Sequence, residues 1–159
     1  MTSIEDAIQQ STFASAHHRS HVNLTFTAAW MNQLTIKALK PHGLSLQQFN
    51  ILRILRGRGG RPATIKLLTE RMLDKMSNAS RLIDKLEEKK LVQRRACAED
   101  RRRVDILITA AGLELLERAS QAVEQSQLGS FAALTEAESN QLSHLLDKLR
   151  TLGESAPGQ

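Results

Sequence analysis

Residues 64–109 read TIKLLTERMLDKMSNASRLIDKLEEKKLVQRRACAEDRRRVDILIT, and the changes of period within this run decide the fold. Thr64 opens a short helix, TIKLLTERM (64–72), with Ile65, Leu68 and Met72 on its inward side. A brief turn over 73–76 leads into SNASRLIDKLEEKK (77–90). There Ala79, Leu82, Ile83 and Leu86 fall at i, i+3, i+4 and i+7, the single stripe of an amphipathic helix. A short helix, a tight turn and a second amphipathic helix make a helix-turn-helix. The period then drops to two in LVQRRAC (91–97) and RVDILIT (103–109). The second run alternates Val104, Ile106 and Ile108 with Arg103, Asp105 and Leu107, as a half-buried strand does. AEDRR between them is a hairpin tip, and a two-stranded hairpin directly behind a helix-turn-helix is a wing.

On the N-terminal side, Ser45 and Gln48 have the spacing of a capping box, with Leu44 and Phe49 at the hydrophobic-staple positions. This predicts a helix from about Leu46 to Arg56 that buries Phe49, Leu52 and Leu55 and stops at GRGGRP (57–62). From Glu5 to Lys40 there is neither Gly nor Pro, which predicts one long helix or two abutting ones, with Leu24, Ala28, Met31 and Leu34 at helical spacing. LKPHG (39–43) ends it. On the C-terminal side Thr109 caps a helix reaching about Gln127, and LGS (128–130) interrupts it. Thr135 and Glu138 form a second capping box, ahead of a leucine stripe at Leu142, Leu145, Leu146, Leu149 and Leu152.

The expected fold is mainly α (α+β): a winged helix-turn-helix lobe with N- and C-terminal helices around it. We expect residues 1–44 to be a helical dimerisation segment, 45–109 the winged lobe, 110–152 C-terminal dimerisation helices and 153–159 a disordered tail. The apolar stripes of the outer helices exceed what one small lobe covers, and this is what predicts a homodimer.

Charge is unevenly placed. The 159-residue chain carries a formal +5, with a sequence pI of about 9.8. Between Arg61 and Arg103 thirteen Lys/Arg face seven Asp/Glu, a net +6, while the remainder holds nine against ten, a net −1. The whole excess lies in the central block, the footprint of a polyanion site. A single cysteine, Cys97, excludes an internal disulfide framework. No apolar run approaches the roughly 18 residues a bilayer span needs, and no signal pattern opens the chain, so we expect a cytoplasmic protein with no membrane partner.

On a helical wheel, Ser77, Ser80, Arg81, Asp84 and Glu88 face away from the buried stripe of the second helix, with Asn78 and Lys85 on its flanks. Small hydroxyls, Asn and Arg at the N-terminal end suit base edges, Arg to guanine and Asn to adenine. Backbone N–H groups and the positive dipole end favour phosphate there. Asp84 and Glu88 are repelled by phosphate, so only the first half of the helix is expected to enter a major groove. A merely solvated polar face is the plainer account of SNASR taken alone. Its place between a capped short helix and a wing tips the balance to DNA. At the hairpin tip, Arg101, Arg102 and Arg103 repel one another unless phosphates or a narrow minor groove supply the opposite charge. Asp100 is expected to order the tip, and Arg94 and Arg95 to extend the positive surface along the backbone.

DKMSNASRLIDKLEEKKLVQRRACAEDRRRVDILITAAG (74–112) closely resembles the recognition helix and wing of the MarR family of bacterial transcriptional regulators. Its most specific signature runs from Asp100-Arg101-Arg102 through Ile108-Thr109 to Gly112, and the similarity extends to LSLQQFNILRIL (44–55) and the helical ends. The resemblance implies a winged-helix homodimer with interlocked terminal helices, usually a repressor released by a small molecule. It implies that Arg102 enters the minor groove, that Asp100 orders the tip, and that 77–81 reads the major groove. Lys90 departs from the pattern, since many members have Gly there, and a slightly different helix end is expected.

The expected partners are therefore operator DNA in an imperfect palindrome, a second copy of the chain and a small-molecule effector. Phe26, Trp30 and Met31 form a candidate effector pocket, although dimer core is the preferred account of them. His17, His18 and His21 cluster with no Cys or acid at ligand spacing, so a polar helix face is preferred to a metal site. Cys97 beside arginines could be a redox sensor, but a small strand residue is the better account. GRGG (57–60) lacks the strand and Lys of a phosphate loop. We expect neither an enzyme nor a cofactor or metal. The competing class is a winged-helix protein–protein interaction module docked on an acidic partner.

Overall fold

A computed structural model of the chain describes residues 3–96 and 104–154, with side chains as far as Thr151. The helices are α1 (Ile4–Ile8), α2 (Ala16–Leu39), α3 (Leu46–Arg56), α4 (Ile65–Arg71), α5 (Ala79–Glu88), α6 (Ala110–Phe131) and α7 (Glu136–Glu154). Between α5 and α6 lie β1 (Val92–Ala96) and β2 (Val104–Ile108).

The caps are where the residues place them. Ser45 accepts from the Gln48 N–H at 3.1 Å while the Gln48 side chain accepts from the Ser45 N–H, also at 3.1 Å. Thr64, Asn78 and Thr109 cap α4, α5 and α6 in the same way, each accepting from an N–H three residues on. Three expectations are corrected. The segment 5–40 holds two helices, as one of the two expectations has it, but they do not abut: α1 ends at Gln9, which takes φ +54°, and α2 starts behind the Ser15 cap. LGS does not interrupt α6, which continues to Phe131. One glycine costs a helix interior about 1 kcal/mol relative to Ala, and the cooperativity of a 22-residue helix outweighs that. Finally, α7 runs on to Glu154, two residues beyond the expected end.

α3 is the hub. It buries Gln48, Phe49, Ile51, Leu52, Ile54 and Leu55, packing on α2 and α6 on one side and on α4, α5 and β2 on the other. Leu39, Ile51, Leu52, Leu68, Ile83, Leu86, Ile106 and Leu116 are fully buried in one continuous core that spans the lobe and the roots of the outer helices. β1 and β2 pair antiparallel, from Val92 opposite Ile108 to Ala96 opposite Val104. Ala63 adds a bridge on the other edge of β2, exchanging hydrogen bonds of 2.9 and 2.8 Å with Ile106. The loop after α3 is thereby tied to the base of the wing. α2 packs along α6, and Gln127 donates to the Thr35 hydroxyl at 3.2 Å. α7 packs scarcely at all on the rest of the described chain.

Candidate nucleic-acid interface

The start of α5 is set by Asp74. Its carboxylate accepts from the Ser77 hydroxyl at 2.6 Å, the Met76 N–H at 3.0 Å and the Gln47 amide at 3.4 Å. These bonds, the Ser77 hydroxyl first, hold its pKa below the usual aspartate value. The Leu73 N–H donates to Asn50 Oδ1 at 2.9 Å, pinning the turn to α3. With the turn held, Ser77, Asn78, Arg81 and Lys85 line one shallow depression together with Leu82 and Gln47. Ser80 is exposed on the same helix outside that depression. Gln47 went unnoticed in the sequence because it lies on α3, and only the docking of α3 against the turn brings it to α5.

Two expectations need revising. Asn78 is the N-cap of α5, and its Oδ1 accepts from the Arg81 N–H at 3.1 Å. A bidentate adenine contact needs both the oxygen and the NH₂ of the amide. The cap takes one of the oxygen's two lone pairs and fixes the amide's direction, so a bidentate adenine contact has to use the second lone pair from that fixed position. Arg94 is not an open cation for a DNA backbone. Its Nη1 reaches Glu87 Oε2 at 2.7 Å, its Nη2 bonds Asp84, and its N–H donates to Glu87 Oε1 at 3.2 Å. These carboxylates, Asp84 first, push the guanidinium pKa above its ordinary value. Arg94 therefore pairs with Asp84, one of the two acids that the helical wheel set toward phosphate, and with Glu87 beside the other. Arg95 stays exposed on the opposite face of the hairpin, across the ladder from Asp105. Arg101, Arg102, Arg103, Asp100 and Cys97 lie outside the described residues.

A small joint fixes the angle between α5, the wing and α6. Lys90 takes φ +58°, donating to the Glu87 carbonyl at 2.7 Å, and the Leu91 N–H donates to the Leu86 carbonyl at 2.9 Å. This is the pair of bonds a glycine helix end makes. The expected difference at Lys90 is thus absent: the conformation is kept and a lysine bears its strain. The Thr109 N–H then donates to the Leu91 carbonyl at 3.0 Å, and its hydroxyl to the Lys90 carbonyl at 2.8 Å. Gly112 lies against the same spot, where an added Cβ would stand closer than 3.0 Å to the Leu91 carbonyl oxygen. The Ile-Thr…Gly spacing is therefore a requirement of this crossing.

On α2, Phe26 and Trp30 stand 43% and 44% exposed one turn apart, and Met31 is half-buried. His18 stacks edge-on against Phe13, while His17 and His21 are exposed. Among the described residues no three His, Cys, Asp or Glu side chains gather for a metal. No helix among them is long and apolar enough to cross a membrane.

A three-helix lobe with a capped second helix and an antiparallel hairpin defines a winged helix-turn-helix protein. Residues 42–103 match the sequence model of the MarR family. It is 27% identical over 111 residues to the HTH-type transcriptional repressor IacR of Pseudomonas putida, covering 70% of this chain and 65% of that one. The organohalide-sensing regulator RdhR-CbdbA1625 in its 2,4-dichlorophenol-bound form superposes with a TM-score of 0.77 at 23% identity, over 89% of this chain and 86% of that one. A mutant of E. coli MarR complexed with operator DNA superposes with a TM-score of 0.69, also at 23% identity, over 79% and 89% of the two chains. The two superpositions establish the shared fold.

Proposed function

We propose that the protein is a sequence-specific, double-stranded-DNA-binding transcriptional regulator of the repressor type. The observation that carries this is the depression that gathers Ser77, Asn78, Arg81 and Lys85 at the N-terminal end of α5, inside the block holding the chain's whole positive excess. α5 would enter the major groove by that end, with Arg81 toward guanine. Arg101, Arg102 and Arg103 would meet the adjacent minor groove or its phosphates, and Asp100 would order the tip. Arg95 would follow the backbone. The E. coli neighbour of the same fold, solved in complex with operator DNA, supports duplex DNA as the partner.

Residues 1–44 and 110–152 would form the dimerisation helices. In support, Leu142, Leu145 and Leu149 are exposed along α7 and Phe26 and Trp30 along α2, surfaces whose apolar area one chain leaves uncovered. A two-fold dimer would present two α5 helices roughly 34 Å apart to an imperfect palindrome. An effector would act by favouring one spacing of the lobes over another. Neighbours described with 2,4-dichlorophenol and with 6-hydroxynicotinic acid support a small aromatic compound as its class. Phe26, Trp30 and Met31 then belong to the dimer core bordering that site.

Gel-shift titration against promoter DNA at several salt concentrations tests the reading. Log affinity is expected to fall linearly with log salt, with a slope of about −0.9 per phosphate neutralised. A flat salt response, or no binding to any duplex, would favour an acidic protein partner instead.

A further inference from the structure

The turn in front of α5 holds two apolar side chains in water. Met76 is 94% exposed and Leu73 81%, more than any other large apolar residue among those described. Their backbone is tied down. Leu73 N–H is bound to Asn50 on α3, and Met76 N–H to the Asp74 carboxylate. Ser77 and Gln47 hold that carboxylate from two further sides, and Lys75 Nζ donates to the Glu70 carbonyl. An ordered turn that displays apolar side chains gains nothing from them in the isolated chain.

The position narrows the occupant. Met76 precedes the N-cap Asn78 by two residues and adjoins Ser77, which lines the depression with Arg81 and Lys85. Arg71, Lys75, Arg81 and Lys85 surround the pair in sequence, all of them exposed. Cations so placed select a polyanion over an apolar protein surface. The apolar groups a duplex offers in its major groove are the thymine C5-methyls. Methionine, unbranched and polarizable, adapts to such a methyl without demanding one rigid fit.

We propose that Met76 and Leu73 read thymine methyl groups at the edge of each half-site, adding apolar discrimination to the polar contacts of α5. This rests on the DNA-binding reading above. Asp74 is the positioning residue that holds the turn outward.

The test separates the two readings. A pool of 30-bp duplexes with random centres is selected on the full-length protein. In the enriched duplex each thymine of the half-site is then replaced singly by deoxyuridine, which removes only the methyl. At one or two positions wild-type affinity should fall about fourfold per methyl. Met76→Ala should abolish the difference at one of them and Leu73→Ala at the other or at the same one. Both variants should keep a native melting curve, because neither side chain is packed. Uracil tolerated everywhere by a protein that still enriches a site overturns this inference and leaves DNA recognition standing. Discrimination that persists undiminished in both variants also overturns it. Failure to enrich any duplex removes DNA recognition, and this inference with it.

Discussion

Lys90 and Gly129 are each in the position that suits the other. Lys90 occupies φ +58°, a conformation that costs an L-residue about 1–2 kcal/mol. Gly129 sits inside α6, where a Cβ would meet nothing within 4 Å. Lys90→Gly is expected to stabilise the lobe by about 1 kcal/mol, since both hydrogen bonds of the helix end remain available. Gly129→Ala should stabilise α6 by a similar amount, about 1 kcal/mol. Urea unfolding would show each as a higher midpoint at unchanged slope. A lower midpoint for Lys90→Gly would mean that the lysine side chain does more than bear strain. Gly112 stands apart from both, because its Cβ would collide with the Leu91 carbonyl and α6 could not cross the end of α5 as it does.

Among the elements, α1 shows how local and tertiary signals divide. Its capping box, Ser3 with Asp6, sits on a helix of five residues, too short to persist by itself. It is tied to the body by Ile4, which is buried, and by Glu5, which accepts from Arg19 of α2 at 2.6 and 3.2 Å. The Arg19 hydrogen bond is the main reason the Glu5 carboxyl is lowered from 4.5 to about 2. A depressed carboxylate stabilises above its unfolded pKa and ceases to as pH falls through its folded one. The tie is therefore whole above about 4.5 and is lost as pH falls from there through about 2. Amide exchange in α1 should accelerate across that window while exchange in α3 does not. Glu5→Gln should give fast exchange in α1 already at neutral pH. If α1 exchanged alike in wild type and variant, the ion pair would be incidental. The α5–β1 pair is coupled by the same chemistry. Arg94 serves Asp84 and Glu87 together, so two acids of α5 draw their counter-charge from β1.

At the scale of the molecule, the outer helices carry apolar surface that the single chain does not cover. Leu145 and Leu149 are 53% and 61% exposed on α7, which packs scarcely at all on the rest of the described residues. Leu145→Asp should therefore leave the melting of the lobe nearly unchanged. In sedimentation it should shift the protein from twice its 17.7 kDa chain mass toward 17.7 kDa. Half-site affinity would survive, and affinity for a palindrome would drop steeply, because the second lobe would no longer be tethered nearby. A wild-type chain that sediments at 17.7 kDa would refute the dimer.

How much of this was legible beforehand depends on the range of the interactions involved. The elements of the lobe were readable because their causes are local. Ser45–Gln48, Thr64 and Thr109 satisfy backbone groups within one turn, and the stripe Ala79, Leu82, Ile83, Leu86 states its period in ten residues. The extent of α6 differs from the expectation because one glycine is only a weak local signal, about 1 kcal/mol, within a helix of 22 residues. The sequence by itself determined the order of helices and strands, the buried stripe of α5 and the basic block, all consequences of residue type and spacing. Only the tertiary structure decided that Arg94 answers the carboxylates of α5, that Gln47 joins the depression, and that Leu91, Thr109 and Gly112 meet at one carbonyl. Those partners lie 7 to 38 residues apart along the chain, and spacing carries no record of a contact that forms only when separate elements pack.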